Sequence, residues 1–274
     1  MYSYQKLRKK HYSSSVIKFK KSAKIDISNW TKNPYTFLKA RLFIEVASIL
    51  VFFLQYTKVT PNSITGLYIF LGFLSGLFLA SNNSTLILIS LFLIVFKNVF
   101  DWSDGLLARI KNNSSSLGDV LDRWGSVVSY NSFIFGFGFY LFNENQDKFF
   151  LLITFAIIFL KSIDLKDYVY HLVGYKIIKE NNVSKVLSLL NIKNKSHNIN
   201  KNSKFEKFKR AVIMLMDDSR SHTIDPIVLI IFIDHFYKDL IFLPYIFYII
   251  FFKNFLFFSG GVYITYFKNY VFKK

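Results

Sequence analysis

Residues 101–126 read DWSDGLLARIKNNSSSLGDVLDRWGS, and the rest of the chain is arranged about them. An apolar run from Leu86 to Phe100 leads in, and another from Val127 to Phe142 leads out. Carboxylates and an arginine therefore stand at the edges of hydrophobic segments, where charge is costly and marks a functional site by default. Asp101 and Asp104 are three apart and share a helix face, while Asp119 and Asp122 form a second such pair one segment later. Carboxylates gathered from two neighbouring helices can hold hard divalent cations, which take oxygen ligands and bridge phosphates. Gly105 and Ala108 remove bulk beside them, so a ligand can approach the backbone.

This spacing resembles the signature of the CDP-alcohol phosphotransferases, D-x-x-D-G-x-x-A-R-x8-G-x3-D-x3-D. Asp101, Asp104, Gly105, Ala108, Arg109, Gly118 and Asp122 fall on the first seven fixed positions, and Ser126 stands at the eighth, where the family has an aspartate. The resemblance implies an enzyme of phospholipid biosynthesis. A phosphatidyl or substituted phosphoryl group passes from a CDP-linked lipid or CDP-alcohol donor to an alcohol acceptor, and CMP is released. It further implies that Asp101, Asp104 and Asp122 hold Mg²⁺ or Mn²⁺ against the diphosphate. Arg109 would give phosphate or nucleotide a fixed positive fork, and Gly105, Ala108 and Gly118 would make room for cytidine and ribose.

Ser126 is the departure. In the family the fourth aspartate helps bind the second metal and acts as general base for the acceptor hydroxyl. A neutral serine is a poor metal ligand and accepts no proton usefully near neutral pH. Asp119 lies one turn before Asp122 rather than after it, so it can contribute only through water or a shifted metal. Three readings stand: an active phosphotransferase with a rearranged second metal site, a non-catalytic CDP-lipid-binding relative, and a small transporter using intramembrane Asp and Lys residues.

Composition agrees with a membrane setting. The 274 residues are 52% hydrophobic and 19% aromatic, too apolar for an ordinary soluble domain. Several runs reach the roughly 20 apolar residues that a spanning helix needs. There is no cysteine, which excludes disulfides and thiolate metal sites. The net charge of +18 lies outside the apolar runs. It fits anionic lipid headgroups and positive cytoplasmic loops rather than nucleic acid.

The expected fold is an all-α integral membrane protein of about six spans. Residues 1–28 read as a basic cytoplasmic tail, unstructured by composition and without a signal-peptide pattern. Residues 29–58 read as an interfacial helix, with Lys39, Arg41 and Glu45 on its polar face. A true span is the competing reading of that stretch. Thr60-Pro61-Asn62-Ser63-Ile64-Thr65 opens the first span. It matches a T-P-N-x-x-T pattern common in the family, through which Asn62 and Thr65 could reach the nucleotide. Gly72 and Gly76 allow close helix packing, compatible with a homodimer.

Further spans are expected near 85–110, 117–142, 149–175, 223–236 and 240–272, with a polar cytoplasmic insert at 176–223. Lys161, Arg123 and Arg220 are candidates for an anionic acceptor group. His11, His171, His197 and His235 show no metal-ligand spacing and receive no role. With both termini inside, the basic loops and the aspartates fall on the cytoplasmic face.

Overall fold

The computed structural model describes residues 2–22, 27–28, 30–31, 34–163, 224–237 and 242–263, all of whose regular structure is helical. The helices are α1 (Tyr4–Ser22), α2 (Pro34–Leu54), α3 (Pro61–Leu79), α4 (Ser84–Lys111), α5 (Ser116–Asn145), α6 (Phe149–Ser162), α7 (Ile224–Tyr237) and α8 (Leu243–Val262). The helix starts expected at Pro61, Thr85, Leu117, Phe149 and Thr223 fall within a residue or so of those found. The insert at 176–223 and its Arg220 lie outside the described residues.

The caps explain the boundaries. Thr60 accepts from the Ser63 amide ahead of Pro61, and the side chain of Asn83 accepts from the amides of Thr85 and Leu86. Asn112, in the left-handed region at φ 52°, ends α4, and Ser115 caps α5 by accepting from the Gly118 amide at 3.0 Å. The connection between α4 and α5 is therefore short. It turns the chain back on itself, so that the two aspartate pairs lie at the same end of two adjacent helices.

Two compact units are present, residues 1–147 with 224–239 and residues 148–223 with 240–274. In the second, α6 packs on α8 through Phe150, whose ring lies 5.9 Å from Tyr248 and 6.4 Å from Phe247. In the first, α3 is the central helix and packs on both α4 and α5. α7 is tied to this unit by polar side chains. Tyr140 donates to the buried Asp234 at 2.6 Å, Ser84 meets His235 at 2.7 Å, and Lys39 pairs with Asp225.

α3, α4 and residues Leu243–Gly260 are each long and apolar enough to cross a membrane, and α6 is a shorter apolar helix. Their outward faces carry large apolar side chains such as Phe70, Phe73, Phe92 and Phe252, in keeping with a lipid-facing surface. The protein is an all-α membrane protein.

One expectation fails. The basic N-terminal stretch is not an unstructured tail but the 19-residue helix α1. Composition suggested otherwise because α1 has little apolar surface of its own. It is held instead by a few buried anchors and by polar side chains of α2. Leu7 is fully buried, Arg8 pairs with Glu45 at 2.6 Å, and Tyr4 and Tyr12 donate to the same carboxylate. Burial alone would raise the pKa of Glu45, yet these donors hold it below its ordinary value.

The glycine face of α3 is used within the chain. A Cβ at Gly76 would lie 2.2 Å from the Ser132 carbonyl oxygen, one at Gly136 would lie 2.5 Å from the Gly76 oxygen, and one at Gly72 would overlap Ser129. The backbones of α3 and α5 touch along this seam, which leaves no room for a second copy at the same surface. Gly76→Ala should accordingly lower stability by about 1–3 kcal/mol through overpacking. Gly66→Ala, with nothing within 4 Å of the added carbon, should be neutral or stabilising by up to about 1 kcal/mol. Thermal unfolding of the two variants in detergent provides the comparison, and equal destabilisation would refute the seam.

Candidate active site

A cavity of about 600 Å³ opens where α1, α3, α4 and α5 meet. Its wall includes Asp101, Asp104, Asp119 and Asp122, with Arg109 as its one lysine or arginine among the described residues. Gly105, Ala108, Gly118, Asn62 and Thr65 also line it. Every residue singled out on the signature except Ser126, and both residues singled out in the T-P-N-x-x-T stretch, therefore face one space.

Helical register does this. Asp101, Asp104, Gly105 and Ala108 recur at three- and four-residue steps on α4, and Gly118 and Asp122 do so on α5. A Cβ at Gly105 would meet only the tip of Arg109, at 3.4 Å, so the cavity reaches the backbone there. At Gly118 a Cβ would come within 3.0 Å of the Asn62 side-chain oxygen. Gly118 thus also permits the starts of α3 and α5 to approach.

The carboxylates are held by hydroxyl donors. Asp104, 7% exposed, accepts from Thr65 Oγ1 at 2.7 Å and from the Gly105 amide. Asp122 Oδ1 accepts from the Tyr68 hydroxyl at 2.9 Å, and that hydroxyl also lies 2.9 Å from the Asp122 carbonyl oxygen. Hydroxyl donation meets part of the cost of burying a carboxylate without cancelling its charge. Among the described residues, no three acidic or imidazole groups converge as a ready-made cation site. The donors are hard oxygens on one wall, the right chemistry for Mg²⁺ or Mn²⁺. The carboxylates would have to turn from their present partners to share an ion.

Ser126 lies off this wall. It is exposed, and its hydroxyl donates back to the Asp122 carbonyl oxygen at 3.1 Å. Arg123 is exposed and is not among the lining residues. Lys161 belongs to the second compact unit, and Arg220 falls outside the described residues. Of the candidates for an anionic acceptor group, Arg123 is thus the one whose place relative to the cavity is described, and it does not line it.

Several residues at the site went unread in the sequence. Tyr68, which holds Asp122 from behind the lining, lies one turn after Thr65 on the same face of α3 and was signalled by that spacing alone. His11, Ser14, Ser15 and Ile17 of α1 line the cavity itself. His11 is 2% exposed, meets Ser48 Oγ at 3.3 Å, and lies with its ring centroid 5.8 Å from that of Trp102. Burial, with the positive charge of Arg109 nearby, pulls its pKa from 6.5 down to about 4. The imidazole is therefore neutral at physiological pH. The basic C-terminal turn of α4 is engaged too: Lys10 Nζ donates to the Arg109 carbonyl oxygen at 3.3 Å, and Lys111 Nζ donates to the carbonyls of Thr57 and Val59.

Residues 58–217, more than half of the chain, match the family model for CDP-alcohol phosphatidyltransferase. No curated protein matches the chain.

Thr65→Val keeps the shape of the side chain and removes the donor to Asp104. It should cost about 1–3 kcal/mol in thermal stability, the penalty of an unpaired buried acceptor. For His11 the sign follows from its lowered folded pKa. Above pH 6.5 both states are neutral and stability is full. As pH falls from 6.5 to about 4 the unfolded chain takes up a proton that the folded chain refuses, so stability declines, and below that it declines no further. The stability gap between wild type and His11→Gln should narrow over that window. A gap that stays constant would contradict a buried neutral His11.

Proposed function

The chain belongs to the CDP-alcohol phosphatidyltransferase family, and from that premise we propose that it transfers a phosphatidyl or substituted phosphoryl group from a CDP-linked donor to an alcohol, releasing CMP. The observation that supports this reading is the single cavity that gathers Asp101, Asp104, Asp122 and Arg109 at the end of two apolar helices. A site in that position lets a lipid tail remain among apolar helix faces while the diphosphate meets charged side chains.

In the reaction, the acceptor oxygen bonds to the β-phosphorus and the bond from that phosphorus to CMP breaks. The acceptor proton must leave as the bond forms. A divalent ion on Asp101, Asp104 and Asp122 would supply neutralisation of diphosphate charge. Arg109, exposed at the rim, would bind and orient phosphate as a fork of donors. Gly105 and Ala108, bare on the wall, would admit the nucleotide against α4, with Asn62, Thr65 and Gly118 across from them. Thr65 and Tyr68 would set the direction of the Asp104 and Asp122 carboxylates. Asp122 is the carboxylate we assign to the proton, because Ser126 cannot take it. The active face would lie on the cytoplasmic side, where nucleotide donors are supplied.

The turned-away hydroxyl of Ser126 favours a second reading, a chain that binds the donor without turnover. CMP release from CDP-diacylglycerol by the protein in lipid, with Mg²⁺ or Mn²⁺ and a panel of acceptors, separates the two. Metal-dependent release should appear and should fall by about 100-fold or more in Asp122→Asn. Donor binding without release would support the second reading. Ser126→Asp should raise turnover by about 10-fold or more without tighter donor binding if a general base is restored. No gain would show that Ser126 is not where the rate is lost.

A further inference from the structure

Residues 1–57 precede the segment that matches the family, yet α1 forms part of the cavity wall. Of its lining residues, His11, Ser14 and Ser15 stand at i, i+3 and i+4 and make one stripe, which Ile17 flanks. The stripe is fastened in place from both sides. Arg8 and Tyr4 grip Glu45 of α2, His11 meets Ser48, and Lys10 reaches the last turn of α4.

This wall differs in kind from the one opposite. α4 and α5 present carboxylates and Arg109, whereas α1 presents hydroxyls, a neutral imidazole and an apolar side chain. Ser15 is 7% exposed and lines the cavity, and no hydrogen bond of its hydroxyl is found among the described residues. Ser14 donates to the His11 carbonyl oxygen at 3.0 Å, which leaves its own lone pairs open. A largely buried hydroxyl facing a cavity gains most from a ligand that pairs with it, and such a group rejects an analogue lacking the partner.

We propose that α1 is a recognition wall for the uncharged, hydroxyl-bearing part of the substrate, with Ser15 as its principal contact. This rests on the phosphotransferase reading above. Sugar or polyol hydroxyls can come from two sources, the ribose of the CDP donor or the acceptor alcohol.

The test uses the full chain in lipid, with CDP and 2′-deoxy-CDP titrated by calorimetry and acceptor KM measured through CMP release. In Ser15→Ala, a CDP Kd raised roughly 3- to 10-fold with 2′-deoxy-CDP unchanged assigns the wall to ribose. An unchanged CDP Kd with acceptor KM raised by a similar factor, kcat being kept, assigns it to the acceptor. Ser15→Thr, which restores the hydroxyl, should recover either loss. A Ser15→Ala chain that binds CDP, 2′-deoxy-CDP and acceptor as the wild type does overturns the proposal. Should Ser15→Ala unfold, Ser14→Ala on the same stripe gives the same readings. Wild-type protein with no affinity for CDP would instead overturn the phosphotransferase reading beneath it, and the proposal with it.

Discussion

The close approach of α3 and α5 is the constraint from which the rest of the site follows. Gly72, Gly76 and Gly136, with Ser129 and Ser132, remove the side chains that would hold the two backbones apart. Only at that separation can Tyr68 of α3 reach Asp122 of α5. α4 packs on the other side of the same α3, and Thr65, one turn from Tyr68, reaches Asp104 there. One helix thus carries the hydroxyl donors for the carboxylates of both neighbours. The seam lies in an apolar setting where hydrophobic burial gives helices little reason to associate, so surface fit must supply the contact.

Electrostatics impose the next layer. Asp104 is almost wholly buried, and its oxygens are met by neutral donors rather than by cations. Neutral donors stabilise a carboxylate but leave its negative charge available to a cationic ligand. A lysine in the place of Thr65 would cancel it. The arrangement suits a wall meant to receive positive charge from outside the protein, whereas Arg109 at the rim suits the anionic end of a donor.

Much of this was legible in the residues. Fixed offsets from Asp101 to Asp122 determined which side chains share a face, because helical register is a local property and a short capped loop leaves little freedom between α4 and α5. Thr60 and Pro61 marked the start of α3 by the same local logic. Ser126 was recognisable as a departure, but its orientation was not, since a rotamer that bonds to its own helix leaves no trace in spacing. Tyr68 could be placed on the right face but not paired with Asp122, a partner 54 positions away. α1 was misjudged because its stability is almost entirely tertiary. Its charges read as solvated until Glu45 of another helix is set against them.

The division of the cavity between α1 and the α3–α5 core has a consequence for how such a protein can change. The groups suited to diphosphate and cation lie in the part of the chain shared with the family, while α1 lies before it. Serine and isoleucine on an accessory helix can be exchanged without moving any carboxylate, because the fastening through Glu45 and Ser48 uses other residues of α1. If α1 selects and the signature residues react, as proposed above, selectivity and chemistry would be encoded in separable stretches, and one could drift while the other is held constant.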